Sequence, residues 1–270
     1  MFKFLRPVKN DCWKKGEKRL KLAVCGKGGS GKSVLVALIA RGLRARGVTV
    51  LVVDSDESNF SLYRTLGFEQ APAALMDLAG GKKNLKKKMG QVNLLNESRI
   101  HLDTIPSPYI QRQDGLMLVC IGKIFQALEG CACPMGALTR EFLQKVHLEK
   151  NEFLIVDLEA GVEHFGRGIE TAIDAVLLAV DPSFESIHMA GRVQEMARGV
   201  QGGVWAVLNK VETDRVAVIL RSQLKNIGLE VIGTVPNDPI ISEASMTGSP
   251  VRTGKASEQI ERILDFLLLH

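Results

Sequence analysis

The chain has 270 residues, of which 46% are hydrophobic and 24% charged, and its formal net charge is +5 at pH 7. This length and apolar content suffice for one large core, so we expect a single α/β domain. No segment approaches the roughly 18 uninterrupted apolar residues of a spanning helix, and the charged start has no apolar run behind it. We therefore expect a cytoplasmic protein without an integral membrane segment.

Cysteine content and charge distribution further limit the kinds of protein that this chain can be. Five cysteines are an odd number, which argues against a disulfide framework and favours reduced thiols or metal ligands. Residues 1–19 carry the whole net charge of +5, because the remaining residues are neutral on balance. We predict that residues 1–19 are a flexible basic extension, with an open role for Cys12, before a domain at 20–270. A second lysine run at 82–88 lacks interleaved aromatic residues, so a solvated helix face is favoured over nucleic-acid binding.

The first predicted strand, 20–25, leads into the segment GKGGSGKS at 26–33 and then a helix at 33–46. This strand, loop and helix fit a phosphate-binding loop. Glycines at this spacing allow backbone N–H groups to converge on phosphate oxygens at the positive end of the helix. The loop predicts a nucleotide site formed by Gly28, Gly29, Ser30, Gly31, Lys32, Ser33 and Val34. In it, Lys32 reaches the terminal phosphates and Ser33 the Mg²⁺.

Lys27 is a second lysine beside the first glycine of the loop. Two ammonium groups this close repel each other unless an anion is within reach. The arrangement K-G-G-x-G-K-[ST] resembles the deviant phosphate-binding loop of the MinD, ParA and nitrogenase iron protein superfamily. In that superfamily this lysine crosses a dimer interface to the partner's nucleotide. The resemblance implies a homodimer that encloses nucleotide, with Lys27 as a catalytic residue.

Further apolar, β-rich runs at 48–53, 116–121, 152–156, 175–180, 204–208 and 230–235 alternate with helix-like segments. This alternation predicts a mostly parallel sheet covered by helices on both faces. Residues 70–115 are less regular, and we interpret them as an excursion over the nucleotide face. Ligands of such sheets bind beyond the carboxyl ends of the strands, where Asp54, Asp157, Asp181 and Asn209 fall.

Two acidic segments follow predicted strands. After the second strand, Asp54 and Asp56 alternate along an extended chain, which turns both carboxylates to one side. The superfamily resemblance implies that Asp54 belongs to the Mg²⁺ ligand sphere and that Asp56 orients or deprotonates the attacking water. After strand 152–156, Asp157 suits a Mg²⁺ role, and the N–H of Gly161 is placed to sense the γ-phosphate.

A base-reading segment is predicted after strand 204–208. Asn209-Lys210-Val211-Glu212 resembles the N-K-x-D segment of related GTPases, but Glu212 replaces the aspartate that binds guanine. The substitution favours ATP over GTP. In the adenine-using branch the asparagine reads the base, and the turn Pro236-Asn237-Asp238 supplies further contacts.

Cys131 and Cys133 form a C-x-C pair between Gly130 and Pro134. In an extended turn both sulfurs face the same way, so they can share one soft metal ion such as Zn²⁺ or Ni²⁺. Stable thiolate sites usually need about four ligands, and one chain offers two. A twofold-symmetric dimer would offer four.

Together with the loop and the C-x-C pair, the stretch DLEAGVEHFGRG at 157–168 resembles the CooC-type nickel-insertion accessory ATPases of carbon monoxide dehydrogenase. The resemblance covers about residue 20 to the C-terminus. It implies an ATPase whose dimer binds Ni²⁺ or Zn²⁺ through the paired cysteines and passes nickel to apo carbon monoxide dehydrogenase or the related acetyl-CoA synthase.

Two other classes within the superfamily remain as alternatives. An iron-protein-like reductase needs a cluster-binding cysteine seven residues after Asp157, and His164 stands there. We interpret His164 as a hydrogen-bonding residue of the second switch or as an auxiliary metal contact. A MinD- or ParA-type positioning ATPase needs a basic amphipathic tail or a DNA-binding surface, but the predicted last helix, 257–270, carries three acidic residues against Arg262 alone. The basic N-terminus keeps this class open.

Overall fold

The computed structural model describes residues 18–81, 95, 97–123, 133–252 and 254–270. These residues form one sheet of eight strands in the order β3-β4-β2-β5-β1-β6-β7-β8. The strands are β1 Leu20–Gly26, β2 Thr49–Ser55, β3 Gln111–Gln113, β4 Leu116–Cys120, β5 Glu152–Leu158, β6 Ala175–Val180, β7 Val204–Val211 and β8 Glu230–Pro236. Neighbouring strands run parallel, except that β3 pairs antiparallel with β4. The predicted mostly parallel sheet is thereby confirmed.

The strands differ from their predicted extents mainly at their carboxyl ends. β2, β5 and β7 each run two or three residues further than predicted, so Asp54, Asp157 and Asn209 lie within the last residues of strands rather than after them. Strand β3 was not predicted, because three consecutive polar residues carry no hydrophobic period. The longer strands give these polar side chains a fixed backbone.

Helices cover both faces of the sheet. They are α1 Lys32–Ala45, α2 Leu62–Leu66, α3 Leu75–Leu78, α4 Cys133–Lys145, α5 Phe184–Met196, α6 Asp214–Asn226, α7 Pro239–Thr247 and α8 Ser257–Leu269. Alternate residues of β1 point into two separate cores. Leu22 and Val24 join α1 and α8, whereas Ala23 and Cys25 join α4, α5 and α6. Burial on both faces explains why the strands read as continuous apolar runs.

Of the irregular segment at 70–115, the structure describes residues 70–81, 95 and 97–115, and none of these lines the cleft over the phosphate-binding loop. Its described residues Leu75, Ile100 and Leu102 belong to the same core as Leu138 and Phe142 of α4. The backbone of Ile100 also forms an isolated parallel bridge with Val146. The described apolar side chains of this segment therefore share a core with α4 beside the sheet.

The C-terminal helix α8 buries Ile260, Ile263, Leu264 and Leu267 against α1. Its polar face holds Glu261 and Asp265, both paired with Arg46. Within the described ranges, no helix combines the length and apolar character needed to cross a bilayer. The predicted basic extension as far as residue 17, the lysine run at 82–88 and Cys131 lie outside the described residues, as does the side chain of Cys133.

Candidate functional site

The phosphate-binding loop joins β1 to α1 at the carboxyl edge of the sheet. Gly29 and Gly31 have φ angles of 80° and 87°, in the left-handed region that a Cβ disfavours. Gly31 is the residue before α1, and no side chain that the structure describes caps that helix. The first N–H groups of α1 are therefore left for a ligand, as an anion site at a helix N-terminus requires.

The two loop lysines occupy different environments. Lys32 is buried, and its Nζ donates to the carbonyl of Lys27 over 3.3 Å. Lys27 forms an ion pair with Asp181, with Nζ and Oδ2 3.2 Å apart. The negative group predicted to lie within reach of Lys27 is therefore present in the same chain, one residue after β6.

Asp181 is held as an anion by this pair and by two hydroxyls. Ser183 Oγ donates to its Oδ1 over 2.6 Å, and the Ser186 hydroxyl donates to the same oxygen. Burial alone would raise the pKa of Asp181, but the Ser183, Ser186 and Lys27 hydrogen bonds outweigh it and lower that pKa. The arrangement keeps a full negative charge beside Lys27.

A cleft of about 610 Å³ opens over the loop, a size suited to a small-molecule ligand. Most of the predicted nucleotide-binding residues line it. They are Gly28, Gly29, Gly31, Lys32, Ser33, Val34, Asn209, Lys210, Pro236, Asn237 and Asp238. Ser30 does not line the cleft: it is fully buried, and its hydroxyl has no partner among the described residues.

Asn209 and Lys210 fasten the loop from the end of β7. Asn209 Nδ2 donates to the carbonyl of Ser30 over 2.7 Å, and Lys210 Nζ donates to the carbonyl of Gly29 over 2.8 Å. Lys210 has a φ of 59°, beside an irregular pairing of β7 with β8. Both residues border the cleft as predicted, while their donors already hold the loop. Their contacts with a base remain predictions.

Asp238 shapes the far wall of the cleft. Its carboxylate accepts from the N–H groups of Ile240, Gly254 and Ala256, each over 3.0 Å. Burial would raise the pKa of Asp238, but the hydrogen bonds from Ala256, Ile240 and Gly254 hold it below its ordinary value. Because this carboxylate is occupied, it caps α7 rather than offering a free acceptor to a ligand.

The acidic residues lie beyond the loop lysines. Asp157 is fully buried, and neither of its carboxylate oxygens has a hydrogen-bond partner among the described residues. Burial raises the pKa of Asp157 to about 7. The Ser33 hydroxyl lies close enough to oppose part of this rise, but its geometry does not complete a hydrogen bond. Two buried, unsatisfied oxygens are costly unless a cation or donor joins them.

Asp54 and Asp56 do not both face the cleft, contrary to the prediction. Asp56 lines it, whereas Asp54 lines a separate cavity of about 500 Å³ and pairs with Lys123. Burial raises the pKa of Asp54 to about 6, although the Lys123 ammonium opposes the rise. The strict alternation of an extended chain fails here because β2 ends at Ser55.

Asp56 is fixed by donors from its own loop. Its Oδ1 accepts from Ser58 N over 2.9 Å, Ser58 Oγ over 2.6 Å and Asn59 N over 3.2 Å. Asn59 Nδ2 in turn donates to Ser33 Oγ over 2.8 Å. This loop therefore connects the candidate catalytic carboxylate to the candidate Mg²⁺ hydroxyl.

The segment after β5 borders the loop at its other side. Ala160 lines the cleft, and Gly161 has a φ of 112° at a position where a Cβ would collide with the Glu163 carboxylate. His164 is buried, its Nε2 has no hydrogen-bond partner within the described ranges, and burial lowers its pKa to about 4. Contact of the Gly161 N–H with a phosphate stays a prediction.

Asp157 and Ser33 fit a Mg²⁺ ion that nucleotide phosphates would share, since Mg²⁺ usually takes one or two protein oxygens besides phosphates and waters. The orphaned oxygens of Asp157 support this fit. In the ranges the structure describes, no three His, Cys, Asp or Glu side chains are arranged as a metal site by themselves. When bound, the ion would neutralise charge on the phosphates.

Sequence reasoning missed several residues of this edge. Lys123 belongs to no motif, and only its place shortly after a strand could have suggested it. Asn59 lies between two predicted elements without a pattern of its own. Asp181 was placed at the edge but not paired with Lys27. Ile241, Ser242 and Ser245 of α7 line the cleft although no predicted motif includes them.

Comparison with known proteins agrees with this geometry. An uncharacterized ATP-binding protein of Methanocaldococcus jannaschii is 39% identical over 85% of this chain and 92% of its own length. The carbon monoxide dehydrogenase accessory protein CooC of Rhodospirillum rubrum is 29% identical over 91% of this chain and 97% of its own length. The septum site-determining protein MinD of Pyrococcus horikoshii, solved with Mg-ADP, has the same fold, with a TM-score of 0.69 at 15% identity over 93% of this chain and 96% of that one.

The model of the CobQ/CobB/MinD/ParA nucleotide-binding domain matches residues 22–251. This span contains the whole sheet except the first two residues of β1. The chain therefore belongs to the CobQ/CobB/MinD/ParA nucleotide-binding family, as an ATPase of the MinD/ParA type.

Proposed function

We propose that this ATPase is a metallochaperone that binds nickel or zinc through Cys131 and Cys133 at a homodimer interface. It would deliver nickel to apo carbon monoxide dehydrogenase or acetyl-CoA synthase in the cytoplasm. The observation that carries the proposal is the similarity to the CooC accessory protein over nearly the full length of both chains, in a sequence with a C-x-C pair.

The cysteine pair matches the chemistry of such a cargo. Thiolates bind zinc tetrahedrally and nickel in square-planar or related geometries, each with about four ligands. Two cysteines per chain leave such a site half complete, so the metal would be shared by two copies related by a twofold axis. Metal binding and dimerisation would then favour each other by linkage.

Helix α4, which begins at Cys133, contacts the residues around the nucleotide site. Ser55 Oγ at the end of β2 lies 2.8 Å from Thr139 Oγ1 in a buried pair. On the other side, Arg140 Nη1 donates to the carbonyl of Arg167 over 3.0 Å. These two contacts connect α4 with the loops that carry Asp56 and Gly161, and they offer a physical route from nucleotide state to the cysteine segment.

The phosphate-binding loop and the loop that carries Asp56 hold the groups that hydrolysis would need. Lys32 and the N–H groups at the start of α1 would bind the phosphates, and Asp56 would orient or deprotonate the attacking water. Three donors hold Oδ1 of Asp56, and no described hydrogen bond reaches Oδ2. Lys27 would leave Asp181 and reach the nucleotide of the partner copy, which makes turnover depend on the dimer.

The decisive experiment is metal analysis of the purified protein after incubation with Ni²⁺ or Zn²⁺ and removal of free ion. We expect about one metal per dimer, lost in Cys131→Ala and Cys133→Ala. Cys12→Ala is the matched control, because it removes a cysteine outside the C-x-C pair. If both C-x-C variants keep full metal stoichiometry, the shared thiolate site does not exist.

Dimerisation is tested separately by light scattering with and without ATP and metal. Wild type should dimerise with either ligand, and Lys27→Ala should lose the ATP-driven dimer while keeping the metal-driven one. A monomer under all conditions would remove the shared site. Iron–sulfur absorbance in the isolated protein would instead favour the reductase class.

A further inference from the structure

Lys123 is a buried lysine beside the acidic residues of the site, and no sequence motif accounts for it. It lies three residues after the end of β4, at the same edge of the sheet as Asp54 of neighbouring β2. Its exposed fraction is 9%. Lysine is rarely this buried without a specific partner.

The backbone that carries Lys123 is fixed on several sides. Ile121 N donates to the carbonyl of Asp54 over 3.0 Å, and the carbonyl of Ile121 accepts from Met76 N over 2.9 Å. A Cβ added at Gly122 would lie 2.8 Å from Met135 Sδ in the first turns of α4. The fold therefore fixes the backbone that leads to Lys123.

All three N–H groups of the Lys123 ammonium donate to acceptors within residues 54–56. Nζ donates to Asp54 Oδ1 over 2.8 Å and to Asp54 Oδ2 over 2.7 Å, and its third bond goes to the carbonyl of Asp56. An ammonium has three donors, so no further acceptor can be served. Lys123 thus occupies both oxygens of Asp54 and also holds the backbone of the candidate catalytic residue.

This occupancy conflicts with the role that the family resemblance implies for Asp54. A carboxylate with both oxygens on a lysine is not free to enter the ligand sphere of a cation. Asp157 is 0% exposed, and in the part of the chain that the structure describes neither of its oxygens has a hydrogen-bond partner. The site therefore holds one carboxylate that is ready for a cation and one that is already neutralised.

We propose that Lys123 is a positioning residue that competes with Mg²⁺ for Asp54 and so sets the magnesium requirement of nucleotide binding. In the structure the lysine holds both oxygens of Asp54. With Mg-nucleotide present, Asp157 and Ser33 would hold the ion, Asp54 would leave Lys123 to join them, and the Lys123 contact with the Asp56 carbonyl would be released. The inference rests on the ATPase site and is independent of nickel.

The test is the magnesium dependence of binding a fluorescent methylanthraniloyl-ADP, which avoids turnover. The measured quantity is the Mg²⁺ concentration that half-saturates the gain in nucleotide affinity. Lys123→Met should lower it by about tenfold, because a competing positive charge has gone. Lys123→Arg, which keeps the charge and donors, should stay within about threefold of wild type.

A second pair of variants shows whether the effect passes through Asp54. Asp54→Asn should raise the half-saturating Mg²⁺ concentration, and adding Lys123→Met in that background should change it no further. Lys225→Met controls for loss of one positive charge, since Lys225 is exposed at the end of α6. If Lys123→Met fails to fold, Lys123→Gln gives the same comparison with a neutral donor.

The proposal is tested by the direction in which the half-saturating Mg²⁺ concentration changes when Lys123 is replaced. A lysine that only supports the fold would lower the melting temperature when replaced but leave the half-saturating Mg²⁺ concentration unchanged. A lysine that holds Asp54 in its magnesium-binding position would raise that concentration when replaced. Either result in a folded Lys123→Met or Lys123→Gln protein overturns the competition, as does an equal effect in the Asp54→Asn background.

Discussion

The two sides of the cleft are built in opposite ways. On the phosphate-loop side, the lysines are matched to acceptors: Lys27 to Asp181, Lys32 to a loop carbonyl and Lys210 to another. On the acidic side, Asp157 is buried without any hydrogen-bond partner among the described residues. The loop lysines already have acceptors without a ligand, whereas the buried carboxylate of Asp157 has unsatisfied oxygens that a cation would relieve.

We therefore expect the loop side to determine nucleotide affinity and the acidic side to determine the rate of ATP hydrolysis. A preformed loop can bind phosphates with little rearrangement, which favours tight binding. The acidic side must gain its cation and orient water, so changes there should act on turnover more than on affinity. The following changes test that division, from the largest expected effect to the smallest.

Asp56→Asn should separate the two sides most clearly. Loss of a general base or water-orienting carboxylate should lower ATP turnover by about 10²–10⁴-fold, while nucleotide affinity stays near wild type. Steady-state phosphate release and fluorescent nucleotide binding measure the two quantities. Asp103→Asn, at an exposed carboxylate away from the cleft, is the control. An unchanged turnover in Asp56→Asn would show that another group handles the water.

Lys32→Ala should act on the loop side. Losing a charge-assisted bond to phosphate should weaken nucleotide affinity by about 100-fold, or about 3 kcal/mol. Lys27→Ala is the matched variant, since Lys27 lies in the same loop but pairs with Asp181. It should bind nucleotide within about threefold of wild type and lose dimer-dependent turnover. Equal affinity losses in both variants would remove the functional distinction between the two lysines.

Particular residues show how far the sequence could lead. Glycine spacing and the surrounding apolar strand and helix are local, so the loop and the parallel sheet were predictable from pattern alone. Asp157 followed from its position at a strand end. Lys123 and Asp181 could not be assigned in this way, because their partners lie about 70 and 150 residues away and depend on strand order.

His164 offers a test of the acidic side by pH. Burial lowers its pKa to about 4, and Arg167, Glu163, Asp56 and Lys32 are the charged groups around it. Since the folded pKa lies below the unfolded value near 6.5, its contribution to stability is present above pH ~6.5 and is lost as the pH falls toward ~4. Between pH ~6.5 and pH ~4, the free energy of unfolding should therefore fall by about 2–4 kcal/mol less in His164→Leu than in wild type.

Urea unfolding at intervals from neutral to acidic pH measures this difference. His188→Leu is the control, because it removes an exposed histidine from α5. Its pH profile should follow that of wild type. If His164→Leu keeps the wild-type acid sensitivity, the charge state of the acidic carboxylates, and not His164, governs stability in this range.

Gly31→Ala and Gly29→Ala test whether Asn209 stabilises the phosphate-binding loop. Their expected effect on the free energy of unfolding is the smallest of these predictions. The two glycines have φ angles of 87° and 80°, so the backbone cost of a Cβ should be similar, about 1 kcal/mol in each. A Cβ at Gly29 meets nothing within 4 Å, whereas one at Gly31 collides with Asn209 Nδ2. Moving that amide would break its 2.7 Å bond to the carbonyl of Ser30.

Gly31→Ala should therefore lower the free energy of unfolding by about 1 kcal/mol more than Gly29→Ala, the net worth of one hydrogen bond. Thermal or urea unfolding of the nucleotide-free protein measures it. In an Asn209→Ala background the excess should vanish, because the colliding amide is gone. If the excess persists there, the fastening of the loop by β7 is not what stabilises it. The stability of the phosphate-binding loop must then come from the loop backbone itself.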